Sequence, residues 1–151
     1  MFAPGNHARR VANALSLNAD AVILDLEDAV ATAEKCVARG AVVAALALAR
    51  RPLLYVRVNA TDTEFCYGDL VAIVRPGLDG IVLPKVESAA ALATIDWLLM
   101  QLEREQGLVP RAIDLIRSLR RRGVSMTSTW SSQRLRASGM SRSALEILRS
   151  T

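Results

Sequence analysis

Ala21-Val22-Ile23-Leu24-Asp25-Leu26 is a short apolar run that ends in carboxylates, because Glu27 and Asp28 follow it directly. Runs of β-branched and aliphatic residues without polar alternation are typical of strands buried on both faces. Two further runs of this kind lie at residues 53–58 and 80–84, and Phe2-Ala3 predicts the end of one more strand. The sequence therefore predicts four strands, each of which ends in polar residues.

Helical segments separate these strands. Apolar spacing predicts helices near residues 8–17, 32–49, 69–74 and 89–105, and Ser88 is the expected N-cap of the last one. Alternating strands and helices are typical of βαβ units, which build a parallel sheet with right-handed crossovers. Both parallel architectures, the closed barrel and the open doubly wound sheet, place their chemistry at the carboxyl ends of the strands.

Composition indicates a globular protein, since 52% of the 151 residues are hydrophobic. Cys36 and Cys66 belong to no Cys/His cluster, which argues against a disulfide framework or a zinc site. The longest apolar run, residues 41–49, is too short to span a membrane, and the N-terminus does not resemble a signal peptide. We therefore expect a cytoplasmic protein without a membrane role.

Charge and serine content both change near residue 112. Residues 1–111 contain 11 Lys and Arg against 13 Asp and Glu, whereas residues 112–151 contain 8 Arg against two acidic residues. Nine serines lie in that second segment and only two before it. The chain therefore ends in a divergent tail rich in arginine and serine.

Arg57 is the strongest candidate for ligand binding. It ends a predicted strand, and a guanidinium can hold a carboxylate through two parallel hydrogen bonds. Strand alternation places Tyr55, Arg57 and Asn59 on one face. Two interpretations stay open, because an ion pair with Asp25 or Glu27 accounts for Arg57 without any ligand.

Acidic and basic residues end the other strands. Asp25, Glu27 and Asp28 form either a site for a divalent cation such as Mg²⁺ or the partners of Arg57 and Lys85. Lys85 and Glu87 alternate onto one face and are expected to pair with each other or to line the same mouth. His7, the only histidine, is expected to be an exposed residue near a helix start.

Four motifs in order resemble the HpcH/HpaI aldolase superfamily, which includes the citrate lyase beta subunit. They are Pro4-Gly5-Asn6, the segment Asp20 to Val30, Val56-Arg57-Val58-Asn59 and the segment Leu83 to Ser88. The resemblance covers about residues 1–116. It implies a (β/α)8 barrel whose members make or break carbon–carbon bonds in CoA thioesters with Mg²⁺.

The resemblance also implies roles for single residues. It assigns Arg57 to a carboxylate of an oxaloacetate-like keto acid. It implies that the mouth or its supporting shell is lined by Asn6, Asp25, Glu27, Asp28, Lys85 and Glu87, without assigning a chemical step to any of them. In the family, a glutamate after strand five and an aspartate after strand six hold the metal.

Those metal ligands are missing from this sequence. A fifth strand is expected near residues 111–116, but residues 117–123 read Arg-Ser-Leu-Arg-Arg-Arg-Gly where the family has glutamate-threonine-alanine-arginine-glycine. We therefore expect a partial (β/α)8 barrel of about four β/α units in residues 1–116, roughly half of a whole barrel. Residues 117–151 are predicted to be a divergent tail, either disordered or translated from a shifted reading frame.

Two functions remain open at this point. The first is a carbon–carbon lyase of the citryl-CoA lyase type, which forms acetyl-CoA and a keto acid and is impaired in this chain. The alternative is a noncatalytic half barrel that binds an acyl-CoA or a sister subunit. Open sheet edges predict a homo-oligomer. We expect no nucleic-acid partner, because Trp130 is the only aromatic residue of the basic tail and no reading motif occurs.

Overall fold

The computed structural model describes residues 2–86, 88–121 and 124–129, and the side chains up to residue 118. Strands and helices alternate along the first part of this range, and a 3₁₀ turn at Thr32–Glu34 precedes the second helix. The elements are β1 (Phe2–Pro4), α1 (Ala8–Ser16), β2 (Ala21–Asp25), α2 (Lys35–Leu46), β3 (Leu53–Arg57), α3 (Phe65–Ile73), β4 (Gly80–Leu83), α4 (Ala89–Glu105), β5 (Asp114–Arg121) and β6 (Val124–Thr129).

The described strands form one sheet in which each strand lies beside its neighbours in the sequence, in the order β1-β2-β3-β4-β5-β6. The first five strands are parallel, and β6 is antiparallel to β5. An open doubly wound sheet reverses its strand order at a switch point. The described sheet has no such reversal, and its four successive β/α units confirm the α/β class with a parallel sheet.

Apolar side chains cover both faces of the sheet, which explains why the strands read as continuous apolar runs. On the helix-covered face, Val22, Leu24 and Val56 belong to a large cluster with residues of α1 to α4. On the other face, Ile23, Tyr55 and three further buried apolar residues form a second, compact cluster. None of the helices in the described ranges is long and apolar enough to cross a membrane.

The predicted helix bounds were least accurate at α3. The sequence predicted a helix over residues 69–74, whereas α3 begins at Phe65 and ends at Ile73. Its first turn contains Tyr67 and Gly68, which have low helix propensity. The packing of α3 against α2 accounts for the glycine. The Arg39 guanidinium lies 3.0–3.2 Å from where a Cβ on Gly68 would be, so it occupies the space of a side chain at that position.

Strand β5 crosses the boundary that the sequence predicted after residue 116. The strand continues to Arg121, and β6 follows after the two residues 122–123, which lie outside the described ranges. An antiparallel β6 is not a further β/α unit, and the sequence did not predict it. The remainder of the predicted tail, residues 130–151, also lies outside the described residues, so its proposed disorder or frame shift stays a prediction.

Candidate functional site

The site begins where β2 ends. Asp25 is the last residue of β2, and its carboxylate accepts hydrogen bonds from the backbone N–H of Glu27 at 2.9 Å and of Ala29 at 3.0 Å. A short Asp side chain often closes a turn in this way, because it reaches the backbone a few residues on. The contacts fold the chain after β2 back over the strand end, and they leave Glu27 only 6% exposed.

Arg57 meets this turn from the neighbouring strand. It is the last residue of β3, and it lies directly beside Asp25 in the parallel register. Its Nε and Nη2 donate to the two oxygens of Asp25 at 2.7 and 2.6 Å, and its Nη1 lies 3.3 Å from Glu27 Oε2. The Phe2 ring covers the guanidinium at 5.4 Å, within the range of a cation–π contact. One arginine therefore connects the ends of β2 and β3 and contacts the first residue of β1.

Both members of the central ion pair are ionised at neutral pH. Burial raises the pKa of the Asp25 carboxyl, but the hydrogen bond and charge of Arg57 and the two backbone N–H groups outweigh burial and hold it below its ordinary value. Burial lowers the pKa of Arg57, and the surrounding carboxylates outweigh it in the opposite direction. The pair is thus a stable charged unit at the mouth of the sheet.

Lys85 completes the cluster from the end of β4. Its Nζ lies 2.9 Å from Glu27 Oε1 and 3.6 Å from Asp28 Oδ1, while 52% of the side chain stays exposed. Its backbone has a φ of +53°, in the left-handed region that residues other than glycine and asparagine rarely adopt. Residues held in this region often lie at functional sites, where surrounding structure compensates for the strain.

The structure brings together five of the predicted site residues and separates others from them. Asp25, Glu27, Asp28, Arg57 and Lys85 form one connected cluster of ion pairs. The ion pairs of Arg57 with Asp25 and Glu27, one of the two interpretations that the sequence left open, are therefore present in the structure. The exposure predicted for His7 is also confirmed.

Asn6 and Asn59 pair with residues outside that cluster. The Asn6 amide donates to Glu34 at 2.6 Å, beside a hollow of about 910 Å³ that runs along α1. Strand β3 ends at Arg57, and the Asn59 side chain donates to Asp69 of α3 at 2.6 Å, so a face shared by Asn59 and Arg57 stays a prediction. Glu87 lies outside the described residues.

Sequence reasoning missed two buried charged residues near the site. Lys35 is 7% exposed and donates to the backbone carbonyl oxygens of Leu26 and Glu27. Asp69 is fully buried and accepts hydrogen bonds from Asn59 and Arg39. Neither residue lies at a strand end, so a search for charged residues at strand ends does not identify them. The signal available was a lone charge on the apolar face of a predicted helix.

Two cavities flank the ion pairs. One of about 300 Å³ is lined by Phe2, Pro4, Asp25, Ala29 and Arg57. The other, of about 290 Å³, includes Glu27, Lys35, Asn59 and Lys85 in its lining. Carboxyl ends of parallel strands are where α/β proteins bind their ligands. The cluster therefore lies between two spaces that can receive a small ligand.

The described residues do not fit a metal ion at this mouth. No group of three or more His, Cys, Asp or Glu within the described part of the chain is arranged to hold one. Of the two alternatives for Asp25, Glu27 and Asp28, the structure shows the ion pairs, because the oxygens of Asp25 and Glu27 face Arg57 and Lys85.

The comparison that decides the family covers most of the chain. The family model described as HpcH/HpaI aldolase/citrate lyase matches residues 1–129. The chain belongs to this family. The match includes all the ion-paired residues of the mouth and continues past residue 116 through β5 and β6.

Curated members of the HpcH/HpaI family are similar at the sequence level. The chain is 43% identical over 109 residues to citrate lyase subunit beta of Leuconostoc mesenteroides subsp. cremoris, covering 71% of this chain and 36% of that protein. It is 39% identical over 121 residues to citrate lyase subunit beta of Escherichia coli (strain K12), covering 79% and 40%. It is 36% identical over 112 residues to the L-malyl-CoA/beta-methylmalyl-CoA lyase of Cereibacter sphaeroides (strain ATCC 17029 / ATH 2.4.9), covering 71% and 35%.

Solved structures agree with this assignment. The citrate lyase beta subunit from M. tuberculosis, complexed with oxaloacetate and magnesium, is 38% identical with a TM-score of 0.53 and covers 63% of this chain and 41% of that one. A malate synthase of Haloferax volcanii has a TM-score of 0.68 at 18% identity, over 76% and 38% of the two chains, which shows likeness of fold alone. The chain spans only about two fifths of the length of these relatives.

Proposed function

We propose that this chain carries the keto-acid half of a carbon–carbon lyase site of the citryl-CoA lyase type. In this reaction an acyl-CoA thioester is cleaved to acetyl-CoA and a keto acid such as oxaloacetate. The observation that carries the proposal is Arg57, held at the end of β3 by Asp25 and Glu27 beside a cavity of about 300 Å³. Similarity to citrate lyase subunit beta and to a malyl-CoA lyase supports the reaction class.

The geometry of Arg57 suits a carboxylate ligand. A guanidinium has five N–H donors, and the contacts with Asp25 and Glu27 engage at most three of them. Nη1 and Nη2 therefore each retain one N–H for a carboxylate. Because Asp25 fixes the guanidinium plane, little side-chain entropy is lost when a ligand binds, which favours affinity.

The charge balance at the mouth supports a role for Mg²⁺ in the complete site. Three cationic side chains, Arg57, Lys85 and Lys35, lie with three carboxylates, those of Asp25, Glu27 and Asp28. A keto dicarboxylate adds two negative charges without a further cation among these residues. The M. tuberculosis relative is crystallised with both oxaloacetate and magnesium. We propose that Mg²⁺ supplies the missing positive charge, held by residues other than Asp25, Glu27 and Asp28.

We also propose that the sheet is part of a (β/α)8 barrel. Sequential parallel strand order and the four β/α units support this architecture. Within the described sheet β1 and β6 each pair with a single strand, which leaves an open edge on each. Exposed edges favour pairing with another chain, so we propose that the protein forms homo-oligomers.

Keto-acid binding tests the role of Arg57. We expect the wild-type chain to bind oxaloacetate saturably in isothermal titration calorimetry. We expect Arg57→Lys to raise the Kd about tenfold, because an ammonium cannot present two parallel N–H groups to a carboxylate. Arg39→Lys is the matched control. Arg39 and Arg57 are 21% and 20% exposed and each pairs with a buried aspartate, but Arg39 pairs with Asp69 and lines neither of the two cavities.

If both substitutions weakened oxaloacetate binding equally, the result would contradict the proposal, since it would indicate a general loss of stability. An unchanged Kd in Arg57→Lys would contradict it directly. Thermal unfolding of all three proteins shows whether the two variants are destabilised to the same degree.

A noncatalytic binding fragment is the second candidate, favoured by the lack of a metal-binding group in the described residues. The two candidates make different predictions for acetyl-CoA release from citryl-CoA. Lyase activity that EDTA abolishes and Mg²⁺ restores excludes the noncatalytic candidate. Oxaloacetate binding without acetyl-CoA release supports it. We propose that this chain alone has strongly impaired lyase activity.

A further inference from the structure

Lys35 is the least expected charged residue near the site. It begins α2, yet only 7% of it is exposed, and its Nζ donates to the carbonyl oxygens of Leu26 at 2.7 Å and Glu27 at 2.5 Å. Burying an ammonium is costly unless it is hydrogen-bonded, so a buried lysine that holds two backbone carbonyls needs an explanation. The position of those carbonyls supplies one.

Both carbonyls belong to the turn that follows β2. The N–H groups of this turn are held by other partners: Leu26 N donates to Arg57 O at 2.9 Å, while the Glu27 and Ala29 N–H groups donate to the Asp25 carboxylate. Because β2 has ended, its ladder no longer supplies donors to these carbonyls, although Glu27 O also accepts from Val30 N at 3.2 Å. Lys35 donates to both carbonyls, so the turn is held through its carbonyls as well as through its N–H groups.

The turn sets the position of the Glu27 carboxylate, which lies between Arg57 Nη1 at 3.3 Å and Lys85 Nζ at 2.9 Å. We propose that Lys35 is a positioning residue, whose ammonium fixes the turn and thereby holds Glu27 against Arg57 and Lys85. The inference rests on the proposed function in one respect, namely that Arg57 binds a keto acid. The ordering of the turn is a separate claim that can be tested without any ligand.

The experiment compares Lys35→Met with Arg39→Met. Methionine has nearly the length of lysine but no donor, and Arg39 lies one turn further along α2 in a buried ion pair with Asp69. Amide hydrogen exchange by NMR reports the turn. We expect Lys35→Met to speed exchange at Glu27 and Ala29 about tenfold relative to Leu26, whose N–H is held by Arg57 O. Arg39→Met is expected to leave this ratio unchanged.

Oxaloacetate titration of the same proteins gives the second measurement. We expect Lys35→Met to raise the Kd about fivefold and Arg39→Met to leave it within twofold of wild type. Unchanged amide exchange at Glu27 and Ala29 in Lys35→Met overturns the inference. Equal changes in amide exchange and in the oxaloacetate Kd in Lys35→Met and Arg39→Met also overturn it. If the wild type binds no oxaloacetate, the proposed function fails, while the exchange data still decide whether Lys35 orders the turn.

A measurement on the unsubstituted chain keeps the inference testable if Lys35→Met does not fold. Lys35 and Lys85 are the only lysines in the sequence. Brief treatment with acetic anhydride, read by mass spectrometry, is expected to modify Lys85, which is 52% exposed, at least tenfold faster than Lys35. Equal reaction of both lysines would show that the Lys35 ammonium is not held in the turn and would overturn the inference.

Discussion

At the residue scale, the ion pairs of Arg57 with Asp25 and Glu27 organise the mouth of the sheet. Carboxylates and cations at strand ends identified Asp25, Glu27, Arg57 and Lys85, because a buried strand rarely ends in charge without a partner. The sequence left open whether Arg57 meets a ligand or a carboxylate. Register decides this, since parallel pairing sets Asp25 beside Arg57. Register depends on the whole sheet, and so no local pattern gives it.

The pH dependence of stability tests the Asp25–Arg57 pair. Because the pKa of Asp25 is lowered in the folded protein, the pair stabilises the fold above the unfolded pKa of about 3.9, and this contribution is lost as the pH falls through the folded value. We expect Asp25→Asn to cost about 2 kcal/mol at pH 7, because it leaves Arg57 without its main partner. Urea unfolding from pH 7 to pH 2 measures the difference from wild type.

That difference is expected to shrink below about pH 4, where Asp25 begins to bind a proton in the unfolded chain, and to level off once the pH is below the lowered pKa of Asp25 in the folded protein. Asp62→Asn serves as the control, since Asp62 is exposed. A difference between wild type and Asp25→Asn that stays constant over the whole pH range would show that the charge of Asp25 does not stabilise the fold.

At the element scale, β2, β3, β4 and α4 were predicted closely and α3 was not. Buried parallel strands have a strong signal, because both of their faces are apolar. The Ser88 side chain accepts from Ala91 N at 3.0 Å, which confirms the predicted cap of α4. Helix α3 is apolar on most sides, so periodicity did not show where it starts. Its start depends on contacts between α2 and α3 that only the folded chain reveals.

Gly80 at the start of β4 allows a close approach that the sequence did not signal. A Cβ at this position would lie 2.4 Å from Cε1 of the Tyr55 ring and 2.9 Å from Asp114 O. Tyr55 is fully buried, and its hydroxyl donates to Asp114 Oδ2 at 3.2 Å. Burial and the neighbouring carboxylate raise the pKa of the Tyr55 phenol, so it stays neutral and keeps this hydrogen bond.

We therefore expect Gly80→Ala to destabilise the fold by about 3 kcal/mol, because neither the ring nor the backbone of β5 can move freely. Chemical unfolding measures this. Gly40→Ala is the control, since nothing lies within 4 Å of a Cβ at that position. Gly80→Ala with wild-type stability would contradict the close packing of β3, β4 and β5.

At the scale of the whole molecule, the parallel α/β architecture was predictable from alternating elements, but the β5–β6 hairpin was not. Composition separated residues 112–151 from the rest, whereas the family match continues to residue 129. Arginine and serine in a strand carry little β signal, and the pairing of β5 with β4 is a long-range contact. The compositional boundary near residue 112 therefore lies inside the family match, just before β5 begins.

The open edges of the described sheet predict self-association. Because β1 and β6 each pair with one strand of the described sheet, their free edges are expected to pair with another copy. Analytical ultracentrifugation is expected to show species larger than the 16.3 kDa monomer, in proportions that rise with concentration. A single monomeric species at all concentrations would contradict the open-edge description.

The most direct test of the central claim is a crystal structure of the chain with oxaloacetate. We expect one carboxylate of the keto acid within about 3 Å of Nη1 and Nη2 of Arg57, in the cavity beside Phe2, with the Asp25–Arg57 pair intact. Oxaloacetate bound elsewhere, or bound only after Arg57 leaves Asp25, would contradict the account in which Asp25 and Glu27 hold Arg57 ready for the ligand.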